Sequence, residues 1–323
     1  MKSTNFAQQG VALITVLLVT AVAAVIASEV VSRLHFHIQR NQAQQAQAQA
    51  YQYALGGEEL VRQLLHEDHG ENKFDYRNDR WAKLKPLYEF DQGQLKILVV
   101  DLNSRLNINT LVTANGQIDE TVSQQFQNLF NSLNLEQQQL DALVDWLDKD
   151  SLPKGLGSED DHYLALDTPY RTANQPLQHL SELLLLKGWE NKHLVLIAPH
   201  VTALPTSTKI NVNTASAPVL ATLAKDLSAQ KASALVTSQQ ANGFDSVETF
   251  IAHDQLAGIE INASLASVTS DYFLVYVESM FAGSRIRLQS TLYRDSSSGD
   301  ISLVSRDRNS RFLWPKETIN EKK

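Results

Sequence analysis

No cysteine occurs among the 323 residues. Disulfides, thiolate-ligated metals and a cysteine nucleophile are therefore excluded. The chain also lacks HExxH, GxGxxG, a P-loop and GxSxG, the short motifs through which zinc proteases, dinucleotide enzymes, NTPases and serine hydrolases present their chemistry. Positive charge is scarce: 28 Lys and Arg face 36 Asp and Glu, a net charge of -8. That balance argues against nucleic acid or an anionic membrane surface as the main partner. What is present is ordinary for a chain with a real core, and the length suits one large or two to three small domains.

The N-terminus carries the first strong pattern. The polar decapeptide MKSTNFAQQG ends at Gly10, and an apolar run follows directly from Val11 to Val31, about one bilayer thickness of helix. Three readings compete. A cleaved secretory signal needs a charged start and a small-x-small end; Lys2 alone supplies charge, although Ala21-Val22-Ala23 fits the end. A plain uncleaved anchor is the second. In the third, a short cytoplasmic leader is cut between Gly10 and Val11 and the apolar segment is retained. The third is favoured because Gly10 abuts the run, where an extended, unbulky cleavage site is sterically simple. The segment also does not stop at the membrane. From Val11 to Leu65 there is no proline, and the second half is rich in Gln, Ala, Leu and Glu, which are good helix formers. Ala43, Ala46, Ala50, Ala54, Leu60, Val61, Leu64 and Leu65 recur at helical spacing, which sets a helix against the alternative of a low-complexity linker. Such a helix is about 80 Å long.

Beyond a polar segment, 66–80, GQLKILVVDLNSRLNIN reads as a strand: Leu95, Ile97 and Val99 alternate with Lys96, Leu98 and Val100. Residues 118–148 read as helical, and a loop with Pro153, Gly155 and Gly157 follows. More helix is expected over SELLLLKGWENKHLVLIAPHVTAL, then short helices over 214–268. The C-terminal part changes period. DYFLVYVESMFA, SRIRLQSTLYRD and ISLVSRDR form three β-rich runs joined by Ala-Gly-Ser and SSSGD, an antiparallel meander. A lone early strand needs partners, so a strand-rich domain split by a helical insertion explains the order better than two sequential domains.

An internal echo falls within the insertion. Arg105-Leu-Asn-Ile-Asn-Thr110 is similar to Lys209-Ile-Asn-Val-Asn-Thr214. Both precede helical stretches, with Thr110, Thr214 or the following Ser216 as expected N-caps. The pattern also resembles the start of a helix-hairpin-helix DNA-binding module. However, LAKDLSAQKASAL has no Gly-x-Gly hairpin to offer amides to phosphate, and the charge is unfavourable. The echo reads as a helical packing unit used twice.

The densest polar chemistry is DALVDWLDKDSLPKGLGSEDDHY. Asp141, Asp145 and Asp148 share one helix face at i, i+4 and i+7, Asp150 lies just beyond, and Glu159, Asp160 and Asp161 follow a Gly-rich turn. These carboxylates repel unless a cation or solvent intervenes. Asp145, Asp148, Asp150, Glu159, Asp160 and Asp161 are the candidate ligands. An all-oxygen set around a flexible loop suits Ca²⁺. Zn²⁺ is disfavoured because His162 is the one imidazole close by in sequence, and the spacing is not an EF-hand. A solvated acidic helix end is the alternative. A hydrolase is a further one, but no nucleophile, lid or pocket signature joins the carboxylates. Trp146, Tyr163 and Tyr170 are expected to pack beneath the loop, with Arg171 paired to a nearby carboxylate.

Two sets of residues carry a resemblance. QQG followed by VALITVLLV resembles a type IV prepilin leader and mature start. Most members of that class have glutamate at mature position five; counting Val11 as one, that position is Thr15. In the class this buried carboxylate, costly if alone, pairs with the terminal amine of a neighbouring subunit. A subunit without it suits a filament's tip. The second set is Asp145-Trp146, Asp148, Asp150, then Gly157-Ser158-Glu159-Asp160 and Tyr163, then Pro169-Tyr170-Arg171, Asn174 and Pro176-Leu177. This closely resembles the signature of the K-type minor pseudopilins of type II secretion, the GspK family, and the likeness runs over nearly the whole chain.

The resemblance implies an α+β pilin-like fold: a long N-terminal helix and an antiparallel sheet, interrupted by a large, mostly helical insertion of SAM-like units. It implies a cleaved leader, 1–10; a membrane and assembly helix, 11–32; a discontinuous pilin-like domain, 33–102 and 269–310; an insertion, 103–268, in two units at about 103–205 and 206–268; and a tail, 311–323. It further implies a non-enzymatic subunit of the bacterial inner membrane with a periplasmic globular part. Val11 would be N-methylated after a prepilin peptidase cuts, and Ca²⁺ would bind in the insertion. Expected partners are I- and J-type minor pseudopilins, the major pseudopilin and the inner-membrane secretion platform, with no nucleic acid. A minor pilin of a type IV pilus is the nearest rival.

Overall fold

The computed structural model describes residues 6–85, 87–205 and 207–308; the first leader residues and the expected tail, 311–323, lie outside them. Helix α1 runs from Phe6 to Glu71, 66 residues, or about 100 Å. It exceeds the expected span at both ends, taking in residues 66–71, whose polarity suggested a break. Its first half is exposed and apolar from Leu13 to Ile38, a helix long and apolar enough to cross a membrane. Its second half buries Ala46, Ala50, Ala54, Gly57, Glu58, Val61, Leu65 and Asp68. Ala43 and Leu60, read as part of this stripe, are exposed, and Leu64 is half-buried. The stripe instead passes through Gly57, because the helix lies close on the sheet: a Cβ there would stand 2.9 Å from Val277 Cγ1.

The sheet has five antiparallel strands: β1 (Leu87–Phe90), β2 (Gly93–Asp101), β7 (Tyr272–Phe281), β8 (Ser284–Arg294) and β9 (Ile301–Arg308), in the order β1-β2-β7-β8-β9. β2 pairs with β7 from Gly93↔Phe281 to Asp101↔Phe273, so the two strands that flank residues 102–271 are neighbours. Ala282 and Gly283 both take positive φ between β7 and β8, the geometry of a tight hairpin turn whose twist matches the strands. The core joins Ile97, Val99, Phe273, Val275, Val277, Ile286, Leu288 and Leu292 to the buried stripe of α1.

The sheet runs along α1 in a definite direction. Phe281–Ser284, at the β7–β8 turn, lie along Gln39–Gln49. At the opposite end Arg294 reaches the Leu65 carbonyl and Asp75. Residues 102–271 therefore leave the sheet beside the C-terminal end of α1, remote from the exposed apolar half.

Within that insertion, β3 (Leu106–Asn107) pairs in parallel with β4 (Val201–Thr202), and β5 (Ile210–Asn211) with β6 (Ala266–Ser267). Between the first pair come α2 (Glu120–Ser132), α3 (Gln137–Leu147), α4 (Asp160–Tyr163) and α5 (Asn191–Ile197). Between the second come α6 (Ala217–Leu220), α7 (Ala229–Ala241) and α8 (Val247–Ile251). One continuous core, from Leu106 through Phe126, Phe130, Leu143, Trp189, Leu220 and Phe250 to Ala266, serves both units. The expected helix over 118–148 is broken at Leu133–Glu136, where Asn134 turns with φ 53°. The expected helix after Ser181 becomes a 3₁₀ turn, Leu180–Leu185, and the short α5, because Gly188 takes φ 77° between them.

The sequence echo has a structural meaning. Asn109 Nδ2 donates to the Leu177 carbonyl at 2.9 Å, and its Oδ1 accepts from the Leu177 N–H at 2.8 Å. Asn213 repeats the clamp on Phe244, at 2.9 and 2.6 Å. The expected caps differ. Asn107, not Thr110, accepts from the Asn109 N–H. Ser216 precedes α6 without capping it, and its hydroxyl instead pairs with His200 Nδ1.

Candidate metal centre and assembly surface

Helix α3 presents Asp141, Asp145 and Asp148 to the following loop. Asp145 Oδ1 accepts from the Lys154 N–H and Asp141 Oδ2 from the Leu156 N–H, each at 2.9 Å. Gly155, at φ 55°, and Gly157 make this approach possible: a Cβ on either would overlap the Asp141 or Asp145 carboxylate. The loop thus folds back over the end of α3 and brings Glu159 to Asp148.

Asp148, Asp150 and Glu159 converge, with one carboxylate oxygen of each lying within 4.8 Å of the others. Asp148 and Glu159 are buried and Asp150 is exposed. Burial, then the Asp150 and Asp145 charges, push Asp148 up to about 6. Burial, then Asp145, push Glu159 up to about 7. Asp145 also rises, chiefly through burial. Asp145 Oδ2, Asp148 Oδ1, Glu159 Oε1 and Asn174 Oδ1 are buried without a hydrogen-bond donor among the described residues. An unmet buried acceptor is expensive, and the converging oxygens of Asp148, Asp150 and Glu159 are ligands of the kind a hard cation takes.

The other two candidate ligands stand apart. Asp160 accepts from Arg171 at 2.5 Å and from the Thr172 N–H and hydroxyl at 3.0 Å each. Asp161 is exposed on α4. Beneath the loop Trp146 meets Tyr163 edge-on at 5.6 Å, and Tyr163 stacks on Tyr170 at 5.3 Å. Asn174 stood out in the sequence only as a motif residue; its Nδ2 donates to the Asp150 carbonyl at 3.4 Å, a contact no spacing signal marked.

A second acidic group, Asp68, Asp75 and Asp79, was not apparent from the sequence. All three are buried, again with oxygens within 4.8 Å of one another. The spacing Asp75-x-x-x-Asp79 before Trp81 was its one local sign. Both acidic groups can hold a metal ion.

At the N-terminus, Gly10 and Val11 lie within the α1 backbone helix rather than in an extended segment. Thr15 is exposed among Leu13, Ile14, Val16 and Leu17.

A helix half apolar and exposed, half laid on an antiparallel sheet, with a helical insertion at the far end, defines a pilin-like α+β subunit. Comparisons specify the class further. Two family models, both described as type II secretion system protein K, match residues 104–206 and 210–269. The type II secretion system protein K of Pseudomonas aeruginosa is 37% identical over 313 residues, covering 93% of this chain and 92% of that protein. That of Aeromonas hydrophila is 31% identical over 310 residues, covering 89% and 93%. Among solved structures, a chain of the GspK-GspI-GspJ complex from the enterotoxigenic Escherichia coli type 2 secretion system superposes with a TM-score of 0.72. It is 26% identical and covers 84% of this chain and 99% of that one. The chain belongs to the type II secretion system protein K family and is a minor pseudopilin of that system. These relatives are structural components of a secretion machine, and the comparisons do not favour the type IV pilus alternative.

Proposed function

We propose that this minor pseudopilin caps the periplasmic pseudopilus, forming its tip with I- and J-type minor pseudopilins above the major pseudopilin and supporting export of folded proteins across the outer membrane. The solved neighbour's complex with its own GspI and GspJ supports the pairing. The observation that carries the reading is the place of residues 102–271. They sit at the end of the sheet beside the C-terminus of α1, opposite the exposed apolar half. A body this size there obstructs a further subunit above, while Leu13–Ile38 remain free to pack among subunits below.

On this reading MKSTNFAQQG is a cytoplasmic leader, a prepilin peptidase cuts between Gly10 and Val11, and Val11 is N-methylated. The apolar half of α1 anchors the chain in the inner membrane with the rest periplasmic, beside the secretion platform. Thr15 presents no carboxylate to recruit a later subunit. The chain performs no catalysis. Asp145, Asp148, Asp150, Glu159 and Asn174 would hold Ca²⁺, which would supply the missing positive charge and fix the loop, with Asp160 and Asp161 outside its reach. The unmet buried oxygens support this reading.

The absence of cysteine permits a clean test. A single cysteine at Leu34 or Ile38 should crosslink to the major pseudopilin in assembled filaments, and one at Leu152, on the insertion, should not. Equal crosslinking from both places would remove the tip assignment.

A further inference from the structure

The joint between α1, the sheet and the insertion holds the second acidic group. Asp68 lies near the end of α1, and Asp75 and Asp79 lie in the turns that follow. They are 1%, 2% and 3% exposed. Asp79 Oδ2 accepts from the Tyr76 N–H at 2.8 Å and from Trp81 Nε1 at 3.2 Å. Asn72 Nδ2 donates to Asp68 Oδ1 at 2.8 Å and to Asp79 Oδ1 at 3.4 Å. Asp75 Oδ2 accepts from Arg294 at 2.5 Å and from the Ser270 N–H at 2.7 Å. Of the two remaining oxygens, Asp68 Oδ2 is buried with no hydrogen-bond donor among the described residues, and it lies 3.6 Å from Arg294 Nη1.

Charge and reach both point to a ligand. Fully ionised, the three carboxylates against one guanidinium would carry an excess of two negative charges, and burial already pushes Asp68 up to about 6 and Asp79 up to about 7. Burial makes such an excess costly, and one divalent cation cancels it. Ligand oxygens on opposite sides of a calcium ion, at about 2.4 Å each, stand about 4.8 Å apart, and the three carboxylates meet that limit.

We propose that Asp68, Asp75 and Asp79 form a calcium site at the joint, separate from the loop site on α3. The site has a structural consequence. Asp75 is bonded to β8 through Arg294, and its backbone carbonyl accepts from Asn211 of the insertion at 3.1 Å. A cation on Asp75 therefore fastens the end of α1, the sheet and the insertion together, and stiffens the cap on its stem.

The test uses the full-length protein in detergent, with the loop carboxylates removed by Asp148→Asn and Glu159→Gln. Trp81, bonded to Asp79, serves as the optical reporter. Tb³⁺ added to this variant should give tryptophan-sensitised emission that Ca²⁺ displaces. Adding Asp79→Asn should lower Tb³⁺ affinity by about tenfold or more. Adding Trp81→Phe instead should quench the emission while calorimetry still registers Ca²⁺ binding. No emission in the loop variant, affinity unchanged by Asp79→Asn, or emission undiminished by Trp81→Phe would each overturn the assignment. Because both buried carboxylates of the converging loop group, Asp148 and Glu159, are already neutralised, failure here leaves the proposed loop site untouched.

Discussion

Arg306 on β9 forks onto the buried carboxylate of Glu58 on α1, with Nη2 2.5 Å from Oε1 and Nε 2.9 Å from Oε2, across 248 residues of chain. Ser290 of β8 donates to the same carboxylate at 2.5 Å. The last strand of the sheet is thus held to the helix by charge as well as by packing. Removing one partner of a buried pair leaves the other uncompensated. Arg306 is itself part-exposed, so screening reduces the effect. Arg306→Ala should cost about 2 kcal/mol in a denaturant titration of the detergent-solubilised protein.

Adjacent glycines on α1 should behave oppositely. A side chain at Gly57 runs into Val277, Leu95 and Ile97, whereas Gly56 has nothing within 4 Å of a new Cβ. Gly57→Val should destabilise by about 1–3 kcal/mol through overpacking. Gly56→Ala should stabilise by about 0.5–1 kcal/mol through helix propensity. Thermal melts of the two variants separate the outcomes directly.

The asparagine clamps should be unequal. Asn213 is fully buried and holds both backbone groups of the buried Phe244. Asn213→Ala strands a donor and an acceptor and should cost about 3 kcal/mol. Asn109, which grips Leu177 from a half-buried position, should cost less, about 1–2 kcal/mol on the same substitution. Equal losses would show that the two units do not use the motif as the geometry indicates.

In chelator-treated protein, Glu159 at about 7 and Asp148 at about 6 lie above their unfolded values. The folded state then binds more protons than the unfolded state between those values, so stability falls as pH rises through about 4 to 7. Melting temperatures should decline over that range. Saturating Ca²⁺ should flatten the decline, since a bound cation favours the ionised carboxylates.

Much of this was legible because it depends on local periodicity. Val11–Leu65 announced a helix, and Leu95–Val99 and the C-terminal runs announced strands with turn residues between them. That β2 joins the C-terminal strands in one sheet followed from the need of one early strand for partners; that its neighbour is β7 did not. What escaped depends on contacts between distant residues. The Asn109 and Asn213 clamps are set by Leu177 and Phe244, and nothing adjacent marks either asparagine as buried. The stripe on α1 shifted to Gly57 because the sheet, not the helix, decides how close the two lie. In the acidic loop, the clustered carboxylates pointed to a cation or to screening by solvent. They could not show that Arg171 and Thr172 occupy Asp160, or that Asn174 reaches the Asp150 carbonyl. The group at Asp68, Asp75 and Asp79 assembles around Arg294, more than two hundred residues later, and so left little trace.

The central claim is that this chain completes a pseudopilus tip. The most direct measurement is sedimentation of the purified protein mixed with I- and J-type minor pseudopilins of the same secretion system. A single species with the mass of a three-subunit complex, containing one copy of this chain, is the predicted result. Independent species at concentrations where the other two subunits pair with each other would contradict it.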